Sequence, residues 1–262
     1  MTQKRRPGRP RKPRHTLLID ADIMVFKTAI SCEMPICWHE EQELWTLHAD
    51  LREAKSRVED QVANLMEALG GRDVIMCFSE RRTFRHDLFP EYKGNRKRTR
   101  KPTIFGPLRK WVMECWRSEC WPALEADDVM GILSKSHSVP RPKIVVSDDK
   151  DLQSVPCNLY QPMHPERGVR HITYADARRH HLMQTLMGDS GDNYPGLPGV
   201  GPKKAEAILK DGTWEEVVEA YEAKGLNETE ALLQARIAQI LMPALYDMKT
   251  GKVSSWHPRR VK

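Results

Sequence analysis

The chain has 262 residues, 40% hydrophobic and 30% charged, enough for one large domain or two small ones with a buried core. No apolar run approaches the ~18 residues of a membrane span, and the basic N-terminus lacks the apolar stretch of a signal peptide. A cytoplasmic protein is therefore expected. The net charge of +6 averages over opposed segments: residues 1–14 hold seven Lys/Arg and no acid, 15–80 five bases and thirteen acids, 81–110 eleven bases and two acids, and 111–262 nineteen bases and twenty-one acids. Two concentrated basic segments point to a polyanionic partner. The six cysteines form no CxxC pair. They fit reduced thiols, and a zinc site would need distant ligands such as His180 and His181, so ordinary packing is expected instead.

In chain order, the Pro- and Arg-rich residues 1–15 cannot bury a core and are expected to be disordered when free. Their centre, Arg6-Pro7-Gly8-Arg9-Pro10-Arg11, resembles an AT-hook, which places arginines in a narrow A·T minor groove. Strand signals follow at TLLIDAD (16–22), DVIMCFS (73–79) and KIVVSDD (143–149), with a weaker one at CNLYQP (157–162). Helical periodicity covers 47–69, 104–117 and 125–137, and strands alternating with helices predict an α/β fold with a mostly parallel central sheet flanked by helices. Beyond about residue 170 the pattern is helical, at 173–187, 202–210, 213–224 and 228–245, with a Gly/Pro-rich stretch at 188–205. The expected organisation is a basic tail (1–15), a core (16–170) containing the basic segment 81–110, and a helical region (171–262).

The strong strands run into carboxylates: Asp20 and Asp22, then Glu80, then Asp148, Asp149 and Asp151. Ligand sites in parallel α/β sheets form beyond the carboxyl ends of the strands, so one edge should collect these acids. Glu125, Asp127 and Asp128 open a helix, and Asp189 and Asp192 lie in GDSGD. Each acid alone reads as a cap or a turn residue. Together they would repel one another unless cations neutralised them, and hard oxygen ligands specify Mg²⁺ or Mn²⁺. Two such ions can drive phosphodiester hydrolysis, and the basic segment beginning directly after Glu80 suits the phosphate.

The set LLIDAD (17–22), FPEYKGNRK (89–97), EADDVMG (125–131), SDDKDL (147–152) and MGDSGDNYPGLPGVGPKKA (187–205) resembles the 5′ nuclease superfamily, in order and over about 16–210. That superfamily includes flap endonucleases, the 5′ nuclease domain of bacterial DNA polymerase I and the standalone 5′ exonucleases of tailed phages; this chain is most similar to the phage type. The resemblance implies metal ligands at Asp20, Glu125, Asp127, Asp128, Asp149, Asp151, Asp189 and Asp192. Where the family has Asp after its second strand, this chain has Ser79 followed by Glu80, so Glu80 is the candidate there, and Asp22 reads as a helix cap or an outer neighbour of Asp20. Lys93 and Arg96 take the catalytic cation positions of an arch over 81–110. Arg96, Lys97, Arg98, Arg100 and Lys101 would line the path of a 5′ single strand, with Tyr92 available for base stacking.

Residues 196–205 resemble the family's helix–three-turn–helix, implying duplex contacts by Gly196, Gly199, Gly201, Lys203 and Lys204, and K⁺ on its carbonyls. The implied activity is 5′→3′ exonuclease on duplex DNA with 5′ ends, nicks or flaps, extending to RNA·DNA hybrids, by a monomer in the cytoplasm of a bacterial or phage-infected cell. The alternatives are a non-catalytic DNA-binding module on the same fold, against which the retained acids argue, and a ribonuclease of the related PIN class, against which the arch and duplex hairpin argue.

Overall fold

The computed structural model describes residues 14–98 and 100–258, with the backbone alone for Lys97 and Arg98. The basic segment 1–13, including the AT-hook-like centre, lies outside the described residues, while His15 already begins a strand.

β1 (His15–Asp20) leads into α1 (Ala21–Ser31), a hairpin of β2 (Glu33–His39) and β3 (Leu44–Ala49), α2 (Leu51–Leu69) and β4 (Gly71–Cys77). After α3 (Phe84–Leu88) and a 3-10 turn at Gly94–Arg98 come α4 (Phe105–Cys115), β5 (Ser118–Glu119) and α5 (Ala126–Lys135). The sheet is completed by β6 (Lys143–Val146), β7 (Asn158–Tyr160) and β8 (Arg170–His171). Four helices follow, α6 (Tyr174–Met187), α7 (Pro202–Ile208), α8 (Trp214–Glu222) and α9 (Glu228–Ala238), then a short hairpin of β9 (Tyr246–Asp247) and β10 (Lys252–Val253).

The six-stranded sheet has the order β5-β4-β1-β6-β7-β8 and is parallel except for β8. This is the mixed, mostly parallel sheet expected from the alternation of strands and helices. Successive side chains of a strand face opposite ways. Leu17 and Ile19 therefore pack with α1, α2 and α4, whereas Leu18 packs with α5, together with Ile75 and Val145 of the neighbouring strands. A separate cluster around Leu186, Trp214, Val217, Tyr221 and Trp256 holds the C-terminal helices together. Because β1 lies between β4 and β6, the chain exits three adjacent strands at one edge. Among the described residues no helix is long and apolar enough to cross a membrane.

Two elements differ from expectation. Residues 47–50 are not the first turn of a helix: Asp50 caps α2 by accepting from the Arg52 amide at 2.7 Å, and Leu47 belongs to β3. The hairpin exposes Met34, Trp38, Leu44, Trp45 and Leu47, so no buried face gave it a strand signature. α9 stops at Ala238 rather than near 245, because Gln239 turns extended and the carbonyls of Ile237 and Gln239 bond to Arg85 instead of continuing the helix.

The C-terminus of α5 is closed by a side chain from the next strand. The Lys143 ammonium is buried and donates to the carbonyls of Leu133 at 2.8 Å, Ser134 at 3.3 Å and Ser136. A cation suits a helix C-terminus, where carbonyls lack intrahelical partners. Lys143→Met should lower unfolding stability by about 1–3 kcal/mol in urea titrations followed by circular dichroism, since it strands these acceptors.

Candidate active site at the carboxyl edge of the sheet

Asp20 ends β1 and caps α1, its Oδ1 accepting from the Ile23 amide at 3.1 Å. Its other oxygen accepts from the Ser147 hydroxyl at 2.8 Å, and Ser147 Oγ in turn accepts from the Asp149 amide at 3.0 Å. One serine thus ties the ends of β1 and β6 together. Asp149 caps the following 3-10 turn through the Asp151 amide at 2.8 Å. From the opposite face α5 delivers Glu125 at its N-cap and Asp127 in its first turn. Asp189 and Asp192 come from the loop after α6, whose ends Asp189 and Tyr194 bridge through paired backbone hydrogen bonds. That loop needs glycine at both ends: Gly188 (φ 66°) and Gly196 (φ 61°) approach so closely that a Cβ on either would lie within 2.4 Å of the other segment's backbone.

These acids act on one another electrostatically. Burial, with the Asp22 and Asp149 charges added, pushes the Asp20 carboxyl up to about 7 despite the hydrogen bonds from Ile23 and Ser147. Burial and Asp149 likewise push Asp151 up to about 7. Asp127 is raised well above the usual carboxylate range by burial and by Asp149 and Asp20, and Asp149 is raised by burial. At such carboxyls a proton competes with a cation for the charge. Among the described residues no three side chains are already closed into a ligand set. Yet Asp127 Oδ1 and Asp151 Oδ1 are buried without any hydrogen-bond partner, and the donors are all carboxylate oxygens. Orphan buried oxygens in an anionic cluster fit a hard divalent cation.

The arch segment places its cations on the same group. Lys93 adopts φ 53°, a left-handed conformation unusual for a lysine, and its Nζ lies 2.7 Å from Glu125 Oε2 and 3.6 Å from Asp192 Oδ2. The Tyr92 hydroxyl donates to Asp192 at 2.7 Å and to Glu125 at 3.2 Å, and Arg96 pairs with Asp192 at 2.6 Å. Glu125 is buried, which raises its pKa, but Lys93 and Arg85 outweigh that and hold it below its ordinary value.

Several expectations are corrected. Asp128 is fully buried and faces away from the cluster: Arg85 grips it in two bonds of 2.6 and 2.9 Å, and the amides of Glu125 and Leu241 donate to it as well. With its oxygens so engaged it is not placed to hold a metal. Glu80 is exposed and its Oε1 accepts from the Arg81 amide, so the structure does not bring it to the cluster. Asp22 stands nearer, accepting from the Ser79 amide at 2.6 Å with Arg109 3.5 Å away.

Tyr92 is buried against the acids rather than open for base stacking, and Arg100 is held in two bonds by Glu33 at the base of the hairpin. Gly196 is buried with its amide donated to Gln234, which removes it from phosphate contact. Gly199, Gly201, Lys203 and Lys204 are exposed; Lys204 reaches back to the Gly199 carbonyl at 2.9 Å. The side chains of Lys97 and Arg98 lie outside the described residues.

Sequence reasoning missed Arg85, Ser147 and Lys150. Lys150, whose Nζ sits 2.6 Å from Asp189 Oδ2, could have been suspected from its place between two acids in SDDKD. Nothing local marked Arg85 among the other bases of its segment.

The chain is similar to known proteins in both sequence and fold. The family described as 5′-3′ exonuclease, N-terminal resolvase-like domain, matches residues 15–176. An exodeoxyribonuclease of Enterobacteria phage T3 is 27% identical over 93% of both chains. An exonuclease of Escherichia phage T7 is 25% identical over 92% of this chain and 93% of that one. A variant of the flap endonuclease of bacteriophage T5, solved with DNA and metal ions, shares the fold with a TM-score of 0.63 at 18% identity, over 88% of this chain and 90% of that one. The chain belongs to the 5′-3′ exonuclease family, a family of nuclease enzymes.

The two neighbouring aspartates of α5 should separate in thermal and urea melts without metal. Asp128→Ala leaves Arg85 buried and unpaired and should cost about 3–5 kcal/mol. Asp127→Ala removes a crowded buried carboxylate and should leave stability unchanged or raise it.

Proposed function

We propose that this member of the family is a divalent-metal-dependent 5′→3′ exonuclease of duplex DNA that also cuts 5′ flaps and accepts RNA·DNA hybrids, acting as a monomer. The observation that carries the reading is the direct bonding of the arch residues Tyr92, Lys93 and Arg96 to the acids Glu125 and Asp192. Phosphate-seeking cations and a carboxylate cluster occupy one place, as hydrolysis of a phosphodiester requires.

Asp20, Glu125, Asp127 and Asp149 would hold one Mg²⁺ or Mn²⁺, and Asp149, Asp151, Asp189 and Asp192 a second. When bound, such ions supply an activated water and charge neutralisation at the leaving oxygen. Lys93, locked by its left-handed backbone and by Glu125, presents its ammonium where charge develops on the phosphoryl oxygens. Arg96, with its side chain half exposed, can take a phosphate in two bonds. Ser147 holds Asp20 and Asp149 in register.

The exposed turn at Gly199 and Gly201, with Lys203 and Lys204, would meet the duplex backbone. K⁺ there would compete with Lys204 for the Gly199 carbonyl. In this division residues 16–170 cut, 171–262 hold the duplex, and 1–15 add affinity.

With Mg²⁺, a 5′-flap, a nicked duplex and a blunt duplex should all yield products released from the 5′ end, and EDTA should stop cleavage. Binding of these substrates without cleavage in either Mg²⁺ or Mn²⁺ would instead make the chain a DNA-binding module. Lys93→Ala should lower kcat by about 100- to 1000-fold with the fold intact by circular dichroism.

Deleting residues 1–14 should weaken DNA binding chiefly at low salt and flatten the salt dependence, with cleavage at saturating DNA little changed. Each lost phosphate contact reduces the log–log slope by about 0.9. An equal loss of binding and turnover would count against that division of labour.

A further inference from the structure

The carboxylates differ sharply in how their charge is met. Among the described residues no ion pair reaches Asp20, Asp127, Asp149 or Asp151; the ion pairs of the cluster end on Asp189, Asp192 and Glu125. Every oxygen of the two loop acids has a donor. Asp189 Oδ2 takes Lys150 at 2.6 Å, and its Oδ1 takes the amides of Gly191 and Asp192 at 2.6 and 3.1 Å. Asp192 Oδ1 takes Arg96 at 2.6 Å, and its Oδ2 takes the Tyr92 hydroxyl at 2.7 Å with Lys93 3.6 Å away. By contrast, Asp127 Oδ1 is buried with no partner at all.

We propose that Lys150 and Arg96 are gatekeepers of the outer half of the cluster, competing with a divalent cation for Asp189 and Asp192 until a phosphate draws them away. The inference rests on the metal-site reading above and assigns an order within it. Of the first ion's ligands, Asp20, Asp127 and Asp149 carry no ion pair and Glu125 alone shares its charge, with Lys93. Asp189 and Asp192 accept an ion only by giving up Lys150 and Arg96.

Both gatekeepers can leave, since their side chains are 66% and 56% exposed while the paired carboxylates are 11% and 15% exposed. Lys93, at 23%, is the less free of the three cations. Arg96 holds Asp192 through one nitrogen, with its Nε on the Gly191 carbonyl at 3.1 Å, and a guanidinium can exchange these for two bonds to a phosphate. Arrival of DNA at the arch and entry of the outer ion therefore favour each other, and by linkage the effect is reciprocal.

Mn²⁺ titrations of the full chain without DNA, followed by electron paramagnetic resonance, test this. Wild type should show a tighter and a weaker class of ion. Lys150→Met and Arg96→Met should each tighten the weaker class by about 5-fold and leave the tighter one in place. Lys150→Gln and Arg96→Gln serve if a methionine variant fails to fold. Unchanged or weaker binding in both variants overturns the proposal.

Asp149→Asn, which removes a shared carboxylate, should abolish both classes. If it binds Mn²⁺ like wild type, the metal-site reading itself fails. In EDTA, Asp192→Asn should tighten duplex binding more in the wild-type background than in Arg96→Met, because only the former has a guanidinium to free. Equal effects would also overturn the proposal.

Discussion

The buried pair of Arg85 and Asp128 is the constraint on which the remaining geometry depends. Arg85 is 3% exposed and Asp128 0%, and between them they bind the amides of Glu125 and Leu241 and the carbonyls of Ile237 and Gln239. The guanidinium also lies over the rings of Phe84 and Tyr92. Four parts of the chain, α3, the arch base, the N-terminus of α5 and the end of α9, thus meet on one charge. Such a pair gains little over apolar packing, but half of it cannot be removed without leaving a buried, unmatched ion. What it secures is position: the N-terminus of α5, which carries Glu125 and Asp127, is fixed against the segment that carries Tyr92 and Lys93.

The site itself is built from tension. Carboxylates are crowded at the edge because β1 and β6 are adjacent and because α5 and the 188–196 loop turn their acids inward. The chain offsets the repulsion unevenly. Hydrogen bonds from Ser147 and local amides serve Asp20 and Asp149, whereas Lys93, Arg96 and Lys150 serve Glu125, Asp192 and Asp189. Folding alone therefore leaves buried oxygens unmatched at Asp127 and Asp151. Local cost retained at a functional edge and supported by a well-packed sheet is the ordinary pattern for sites that bind highly charged ligands.

Much of this was legible in the residues, and the exceptions share a cause. The alternation of strands and helices, and the acids at the ends of β1 and β6, follow from local pattern. The difference between Asp127 and Asp128 does not. Adjacent residues on a helix point about 100° apart, and nothing local says which of two aspartates faces the site. The difference between Glu80 and Asp22 is similar, since both lie just past strand ends and only the path of the chain after β4 turns Glu80 to solvent. The β2–β3 hairpin escaped notice because neither face is buried, so it carries no binary pattern.

By itself the sequence determined the class of fold, the sheet edge at which the acids gather, the basic segment beside them and the family to which the motifs belong. The first three rest on periodicity, spacing and charge along the chain, and the family on the resemblance of its motifs. Only the tertiary structure decided which acids share a space, which cation holds which carboxylate, and that Asp128 and Gly196 serve the fold rather than the ligand. Those outcomes depend on burial and on partners up to 154 residues apart, such as Arg85 and Gln239. The desolvation and pairing of a charge are set by everything packed around it, and a linear sequence does not state what that will be.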